Sequence, residues 1–573
     1  MGSWFDCNTD QAQIQIKMRL TSTSIELDPR AILLGAGRLA ERFGDEAYFV
    51  ALCARSGLIG PELPHRVAQS LLAFERFGML GGALTTAAIR HGGRIGLIDE
   101  LGELTYRELD ARANAVANCW RKRGLEPGEG VAILVRNHRG FIDATFAAAK
   151  CGARIVLLNT DFAARQLQEV ASREGADLLV YDDEYTEMLE GVHPRRGRYL
   201  AWNDGDPVAD SLEELIASGD SSAPPKPGLS PKIIILTSGT TGTPKGAPRD
   251  LPRSLAPIGG LLSKVPFRAR ETTELCAPMF HALGFAHAML GVGLGSTLVV
   301  RRRFDPQATL ESLDRHGASA MVVVPVMLQR MLDLDREVRA GLDFSALRII
   351  FVSGSQLGAE LCRRALQAFG PVIYNLYGST EVAYATIATP KDLRVEPGCV
   401  GKVVRGTVVK ILDSDATEVP TGATGRVFVG NSVQFDGYTG GGDKERIAGL
   451  MSSGDVGHFD SEGRLFIDGR DDDMIVSGGE NVFPREIEEL LAEHPAIEEV
   501  AAIGVEDERF GQRLRAFVVL RPGASLSEDE VKQYVRDNLA RYKAPREVMF
   551  LETLPRNPTG KILKRELADH PVP

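Results

Sequence analysis

Paired cysteines are missing from this 573-residue chain: its seven cysteines (Cys7, Cys53, Cys119, Cys151, Cys276, Cys362, Cys399) are odd in number, scattered and never spaced C-x-x-C. That excludes a disulfide framework and a cysteine-based zinc site, and it fits a reducing, cytoplasmic compartment. An excess of positive charge is missing too. With a formal net charge of −11, nothing in the overall balance attracts nucleic acid, and a nucleic-acid partner is excluded. No basic stretch followed by an apolar run opens the chain, Asp6 breaks the pattern that a lipidated Gly2 needs, and the closing Pro-Val-Pro is not a peroxisomal address. One uncharged run, Leu275 to Val300, exceeds the roughly 20 residues that cross a bilayer. Pro278, His281, His287 and four glycines interrupt it, which favours a buried core segment.

What is present suggests more than one domain, because the length is several times that of a usual single domain. Residues 1–90 differ in texture from the rest, with an apolar and basic run from Val67 to Arg76 at helical spacing and a Gly-rich stretch through Gly82. We read them as a helical N-terminal extension packed on the main domain, with peripheral contact to a membrane surface as the open alternative. Residues 91–469 alternate strand and helix. Thr105 and Glu108 are spaced as a capping box before a helix through Trp120, then come strand Val131–Val135, helix Phe141–Cys151 and strand Ile155–Leu158. Such units imply parallel sheets covered by helices. From 470 to 573 the elements shorten, with a helix from Pro484, strands Val500–Val505 and Ala516–Leu520, and a helix capped by Ser527 and Glu530. The expected fold class is α/β: a large domain of helix-covered sheets and a small, mobile α+β lid.

The richest motif is Thr237-Ser238-Gly239-Thr240-Thr241-Gly242-Thr243-Pro244-Lys245-Gly246, directly after the apolar strand Ile233–Leu236. It supplies three glycines, five hydroxyls and a lysine. Polyphosphate binding needs that inventory, since glycines let backbone N–H groups approach phosphate oxygens, hydroxyls add donors and Lys245 compensates charge. It is not a Walker A loop, because Pro244 precedes the lysine and no hydroxyl follows it. A flexible linker is the plainer alternative, but linkers rarely join a β-branched strand to a Pro-Lys-Gly turn.

This decapeptide resembles the signature of the adenylate-forming superfamily, which includes acyl-CoA synthetases, luciferases and the adenylation domains of peptide synthetases. The resemblance continues in order. Asn375-Leu376-Tyr377-Gly378-Ser379-Thr380-Glu381 is similar to the aromatic-Gly-x-Thr-Glu motif, Ser453-Gly454-Asp455 to the Gly-Asp motif, Gly469-Arg470-Asp471-Asp472-Asp473 to the hinge, and Arg556-Asn557-Pro558-Thr559-Gly560-Lys561 to the segment with the catalytic lysine. Two departures concern adenine contacts: Ser353-Gly354-Ser355-Gln356 stands for the common Gly-Gly-Ala-Pro, and Gly425-Arg426 for Gly-Glu.

The resemblance implies an ATP-dependent ligase that joins a medium- or long-chain fatty acid to coenzyme A. Thr237, Ser238, Gly239, Thr240, Thr241, Gly242 and Lys245 would hold phosphates. Gly354, Ser355, Asn375, Gly378 and Ser379 would line the nucleotide, with Tyr377 stacked on adenine. Thr380 would bond a phosphate, and Glu381 and Thr240 would hold Mg²⁺. Asp455 would take the ribose hydroxyls, Arg470 would add a ribose or phosphate contact, and His281 would gate the acyl carboxylate or guide the thiol. Lys561 would be the catalytic ammonium. Asp472 would be the hinge about which the lid turns, and Gly478, Gly479 and Glu480 would line the pantetheine tunnel after rotation. Two rivals remain: a fatty acyl-AMP ligase that loads a carrier protein, and a non-catalytic nucleotide or lipid sensor. A homodimer is also left open.

Overall fold

The computed structural model describes residues 44–205, 210–237, 245–249, 254–435, 437–439, 441, 443–471, 475–477, 480–482, 484–507, 511–539, 543–557 and 560–569. Two parallel-cored sheets form the body. The nine-stranded sheet runs, edge to edge, Lys402–Val403, Thr386–Ala388, Ile373–Tyr377, Ile349–Val352, Ala320–Val323, Thr272–Leu275, Thr297–Val299, Ile95–Asp99 and Gly102–Thr105. Its inner neighbours pair in parallel and its outer strands antiparallel. The central strands read as continuous Val, Ile and Phe because both faces are covered, as Ile349–Val352 shows by being buried at every position. The six-stranded sheet places Lys232–Thr237 parallel to Arg154–Leu157 and closes with the antiparallel edge strand Lys245–Arg249.

A third, antiparallel sheet joins Val408–Leu412, Gly425–Gly430, Leu450–Phe459, Arg446–Ile447 and Leu465–Arg470. The C-terminal lobe has its own sheet around the long hairpin Ile497–Asp507 and Gly511–Leu520. Helices Pro484–Ala492 and Glu528–Asn538 pack on one face of it around Ile487, Leu491, Val531 and Val535. The expected α/β class, with a large and a small unit, is what the chain adopts.

Local signals explain most boundaries. The Thr105–Glu108 capping box opens helix Tyr106–Lys122, and Ser527–Glu530 opens Glu528–Asn538. The helix expected from Phe141 starts two residues earlier, as Arg139–Lys150, because the His138 ring accepts the Gly140 N–H at 3.1 Å and caps it. The uncharged run 275–300 divides into the end of a strand, helix Ala282–Leu294 and strand Thr297–Val299, and Gly295 ends the helix at φ 64°. Among the described residues no helix is long and apolar enough to cross a membrane.

Helix Pro64–His91 is interrupted at Gly78, whose φ of 69° and ψ of −177° no continuous helix permits. Its first half leaves Val67, Leu71 and Leu72 exposed, while Leu80, Leu84 and Ala87 of its second half enter the main core. Lys150, fully buried, ties it to its neighbours: the ammonium donates to Asp110 at 2.5 Å and Asn114 at 2.6 Å, and Thr85 of the N-terminal helix donates to the same Asp110 oxygen at 2.8 Å. The second half of this helix is part of the body's core, and residues 1–43 of the expected N-terminal extension lie outside the described residues.

One charged group in the core strand Thr272–Leu275 gives the fold a pH signature. Glu274 is buried with its carboxylate accepting from the Ser312 hydroxyl at 2.8 Å. Burial pushes its pKa up to about 7, against the pull of Ser312, Arg301 and Arg315. The folded chain thus keeps a proton that the unfolded chain releases near 4.5, so this group's contribution to stability falls as pH rises from 4.5 to 7. The loss across that window is about 3 kcal/mol at roughly 1.4 kcal/mol per unit. Glu274→Gln should remove this slope. Urea unfolding at acidic and mildly alkaline pH should show the variant gaining about 3 kcal/mol on the parent between the two conditions.

Candidate active site

The strand Ile373–Tyr377 delivers its last residue to the end of the nine-stranded sheet, where the chain turns sharply. Gly378 is obligatory there: a Cβ would lie 2.1 Å from the Ala383 carbonyl oxygen. Ala383 itself takes a left-handed φ of 62° to close the turn. Within it the Ser379 hydroxyl donates to Glu381 Oε2 at 2.9 Å and accepts the Glu381 N–H at 3.2 Å. The other carboxylate oxygen, Oε1, accepts the Tyr438 hydroxyl at 2.8 Å. Glu381 is therefore held from two sides, and burial together with this carboxylate raises the Tyr438 pKa.

Asp455 comes from a different sheet. It lies on Leu450–Phe459, opposite Arg470 in register, with Arg470 Nη1 at 3.4 Å from Oδ1. Its Oδ2 accepts the Tyr377 hydroxyl at 2.6 Å, and its N–H is bonded by Ser453 Oγ at 3.1 Å. Burial raises the Asp455 pKa, opposed by Arg470, Tyr377, Lys561 and Arg485. The charge of Lys561 is thus felt at Asp455 although the two are far apart in sequence. Burial and the Asp455 carboxylate push Tyr377 up in turn.

Lys561 belongs to a tight loop of the C-terminal lobe. Its N–H donates to Asn557 Oδ1 at 2.8 Å and its carbonyl accepts the Asn557 N–H at 2.9 Å, with Gly560 at φ 76° between them. Gly560 rests directly on Val326 of helix Pro325–Asp333, where a Cβ would fall 2.1 Å from Val326 Cγ1. Gln356 Nε2 to Glu489 at 2.6 Å and Arg363 to Glu493 at 2.9 Å add two further bonds between the lobes.

Apart from Arg363, these groups border one cavity of about 1990 Å³, shared by both lobes. Gly354, Ser355, Asn375, Tyr377, Gly378, Ser379, Thr380, Glu381, Asp455, Arg470, His281 and Lys561 line it. Gly354 needs its glycine, with φ 97°, and the preceding Ser353 hydroxyl donates to the Leu376 carbonyl at 3.0 Å. His281 stands just before helix Ala282–Leu294, its ring 4.5 Å from that of Phe280. Its Nε2 has no partner among the described residues, and burial lowers its pKa to about 4, so the imidazole is neutral near pH 7. The apolar part of the wall includes Leu80 and Ala83 of helix Pro64–His91 together with Leu261, Leu283 and Leu290.

The phosphate-loop residues frame a hairpin. Thr237 and Lys245 are register partners at its base, while Ser238, Gly239, Thr240, Thr241 and Gly242 lie outside the described residues. Asp472, Gly478 and Gly479 also lie outside them. Glu480 pairs with Ser477 in strand Glu480–Val482. The base of the phosphate hairpin is tied to the Glu381 support: the Gly246 N–H donates to Thr439 Oγ1 at 2.9 Å, and that hydroxyl donates to Glu174 at 2.7 Å. Tyr438 and Thr439 escaped sequence reading because they carry no motif and stand 57 residues beyond the glutamate that Tyr438 holds. The lining by helix Pro64–His91 was equally invisible, since helical periodicity does not say which cavity a helix borders.

Magnesium, which the resemblance implies, fits Glu381 as a hard oxygen donor with both oxygens oriented. Among the described residues there is no cluster of three His, Cys, Asp or Glu, so phosphate oxygens and water would complete the shell, as is usual for this ion.

Comparison with known proteins agrees with this geometry. A family model for AMP-binding enzymes matches residues 84–439, and one for the AMP-binding enzyme C-terminal domain matches 486–561. A fatty acid–[acyl-carrier-protein] ligase of Streptomyces coeruleorubidus is 31% identical over 496 residues, covering 81% of this chain and 91% of that protein. A feruloyl-CoA synthase of an Amycolatopsis species is 32% identical over 486 residues, covering 84% and 95%. The crystal structure of ATP-bound MatB from Rhodopseudomonas palustris superposes with a TM-score of 0.76 at 26% identity, covering 85% and 98%. With both lobes matched in order and the motif residues gathered on one cavity, the chain belongs to the AMP-binding enzyme family, the adenylate-forming acyl- and aryl-CoA ligases.

Proposed function

We propose that this protein activates a medium- or long-chain fatty acid with ATP and transfers the acyl group to coenzyme A. The observation that carries the reading is the convergence of Tyr377, Glu381, Asp455 and Lys561 on one cavity that also has an apolar wall. In the first step a carboxylate oxygen attacks the α-phosphorus of ATP, the bond to pyrophosphate breaks and acyl-AMP forms. In the second the thiolate of coenzyme A attacks the acyl carbon and AMP leaves.

Each side chain has a task that its surroundings support. Asp455 accepts the ribose hydroxyls while Tyr377 and Arg470 orient it. Thr380 and the loop that springs from Thr237 and Lys245 take phosphate oxygens, and Glu381 would hold Mg²⁺, which when bound would screen the charge of the phosphates. Lys561 relieves the repulsion between the incoming carboxylate and the phosphate. A neutral His281 borders the reacting end without adding charge. The close contact of Gly560 with Val326 suits the adenylating arrangement. A turn about Asp472 would then withdraw Lys561 and bring Gly478, Gly479 and Glu480 toward the thiol.

The relatives named above act on fatty acid and on ferulate, so the fatty chain rests on the apolar wall. AMP and acyl-CoA release should be followed with acids of graded length, with and without coenzyme A. Coenzyme A-dependent thioester with a chain-length optimum is expected. Tightly held acyl-AMP without thioester would instead favour loading of a carrier protein, and no turnover with any acid would favour the sensor. Lys561→Ala should slow adenylation by about 10²–10³-fold, with much less effect on thioester formation from supplied acyl-AMP. Gly560→Ala should show the same split, because its methyl group collides with Val326 only in the docked arrangement. Adenylation unimpaired in Lys561→Ala would remove Lys561 from the first step.

A further inference from the structure

Helices Pro64–His91 and Ala282–Leu294 pack together with their C-terminal ends side by side. Gly295, which ends the second, lies against the His91 ring, where a Cβ would fall 2.2 Å from Cδ2. Within Ala282–Leu294 only Ala282, Leu283, Ala286, Met289 and Gly293 escape burial, and all five border the cavity. Ala282, Ala286, Met289 and Gly293 follow one another at intervals of four, three and four residues, which is one face of the helix along its whole length. Met79, Ala83, Thr86 and Arg90 repeat the same intervals on the other helix and border the same cavity. A slot lined largely by small residues therefore runs along both helices, from His281 at its reactive end to Gly293 and Arg90.

The far end is closed by a loop that precedes the stretch matched by the AMP-binding family model, residues 84–439. Leu58 borders the cavity and rests on Gly293, where a Cβ would stand 3.0 Å from Leu58 Cδ1. Arg90 holds this loop with three hydrogen bonds: Nη1 donates to the Leu58 carbonyl at 2.7 Å, Nη2 to the Gly57 carbonyl at 3.2 Å, and Nε to the Glu62 carboxylate at 3.1 Å. The loop is also fixed to the body, because the Ala269 N–H donates to the Ser56 carbonyl at 2.7 Å and Gly57, at φ 83°, lies against Ala269. Arg90 borders a depression of the outer surface as well as the cavity, so its side chain forms the partition between them.

We propose that Leu58 is the chain-length stop of the acyl slot and that the Arg90–Glu62 pair is the latch that keeps it in place, which sets the substrate as an unbranched acid of about 14–16 carbons. This deepens, and rests on, the acyl-activating reading above. Gly293 stands twelve positions beyond His281, about 18 Å along the helix axis. An extended chain advances about 1.2 Å per bond, so about 15 bonds fill that length. The stop comes from the N-terminal segment, outside the stretch that the family model matches, so the motifs of the adenylating site do not encode the length limit.

The test is kcat/KM for thioester formation with saturated acids from hexanoate to docosanoate. The parent should improve with each added methylene up to about 14–16 carbons and decline beyond. Leu58→Ala, which clears the end of the slot, should move the optimum up by about two carbons. Arg90→Met keeps an apolar stem and loses all three hydrogen bonds. It should raise the ratio of eicosanoate to tetradecanoate at least about 10-fold, since each methylene that finds room contributes about 4-fold. Ala286→Phe should cut the slot short five positions from His281, about 7.5 Å, and bring the optimum down to about 6–8 carbons. Every reading compares acids within one preparation, so a lower yield of folded enzyme does not alter it. Should Arg90→Met not fold, Leu58→Ala and Ala286→Phe decide. A parent optimum at or below decanoate would overturn the proposal. So would an optimum unmoved in Leu58→Ala or a ratio unchanged in Arg90→Met, even where Ala286→Phe shortens the range. Fatty thioester would still form in each of these cases and the ligase reading would stand, whereas no thioester from any length would overturn that reading itself.

Discussion

A part-buried hydrogen bond, 2.6 Å from the Tyr377 hydroxyl to the Asp455 carboxylate, links the end of the nine-stranded sheet to the antiparallel sheet. The residues on either side of it are arranged by strand geometry. Tyr377 ends a parallel strand, where open α/β sheets place their ligand crevices, and Asp455 faces Arg470 across an antiparallel ladder. Burial raises the Asp455 pKa, and Arg470, the tyrosine, Lys561 and Arg485 together oppose that rise. Lys561 joins this set only because Gly560 allows its loop to sit on Val326. The acid–tyrosine pair, the ladder and the lobe contact thus form one electrostatic unit.

Around that unit, support comes from residues that would attract no notice alone. Tyr438 fixes Glu381, and Thr439 fastens the base of the phosphate hairpin to Glu174. A small shift of that short stretch would move the glutamate and the hairpin together. Helix Pro64–His91 has a similar double part. It is anchored through Thr85, Asp110 and Lys150 on one side, and on the other it turns Leu80 and Ala83 toward the cavity. Its broken geometry at Gly78 lets the first half diverge while the second half follows the core.

The fold was legible where side-chain chemistry acts over a few residues. Capping boxes at Thr105 and Ser527 and the apolar run Ile233–Leu236 appear as read, because caps and strand burial are local in cause. The start of Arg139–Lys150 was misplaced by two residues because a histidine serves as its cap, a role usually taken by Ser, Thr, Asp or Asn.

What the sequence determined by itself is the family and the candidate list of chemically active residues: glycines at Gly378 and Gly560, carboxylates at Glu381 and Asp455, and the lysine at Lys561 are needed for what each can do individually. What only the tertiary structure decided is which of them share a cavity, which oxygen of each carboxylate is already engaged, and that helix Pro64–His91 borders that cavity. Those properties depend on distances between segments separated by tens to hundreds of residues. Such distances are set by the packing of sheets and lobes, which no local pattern encodes.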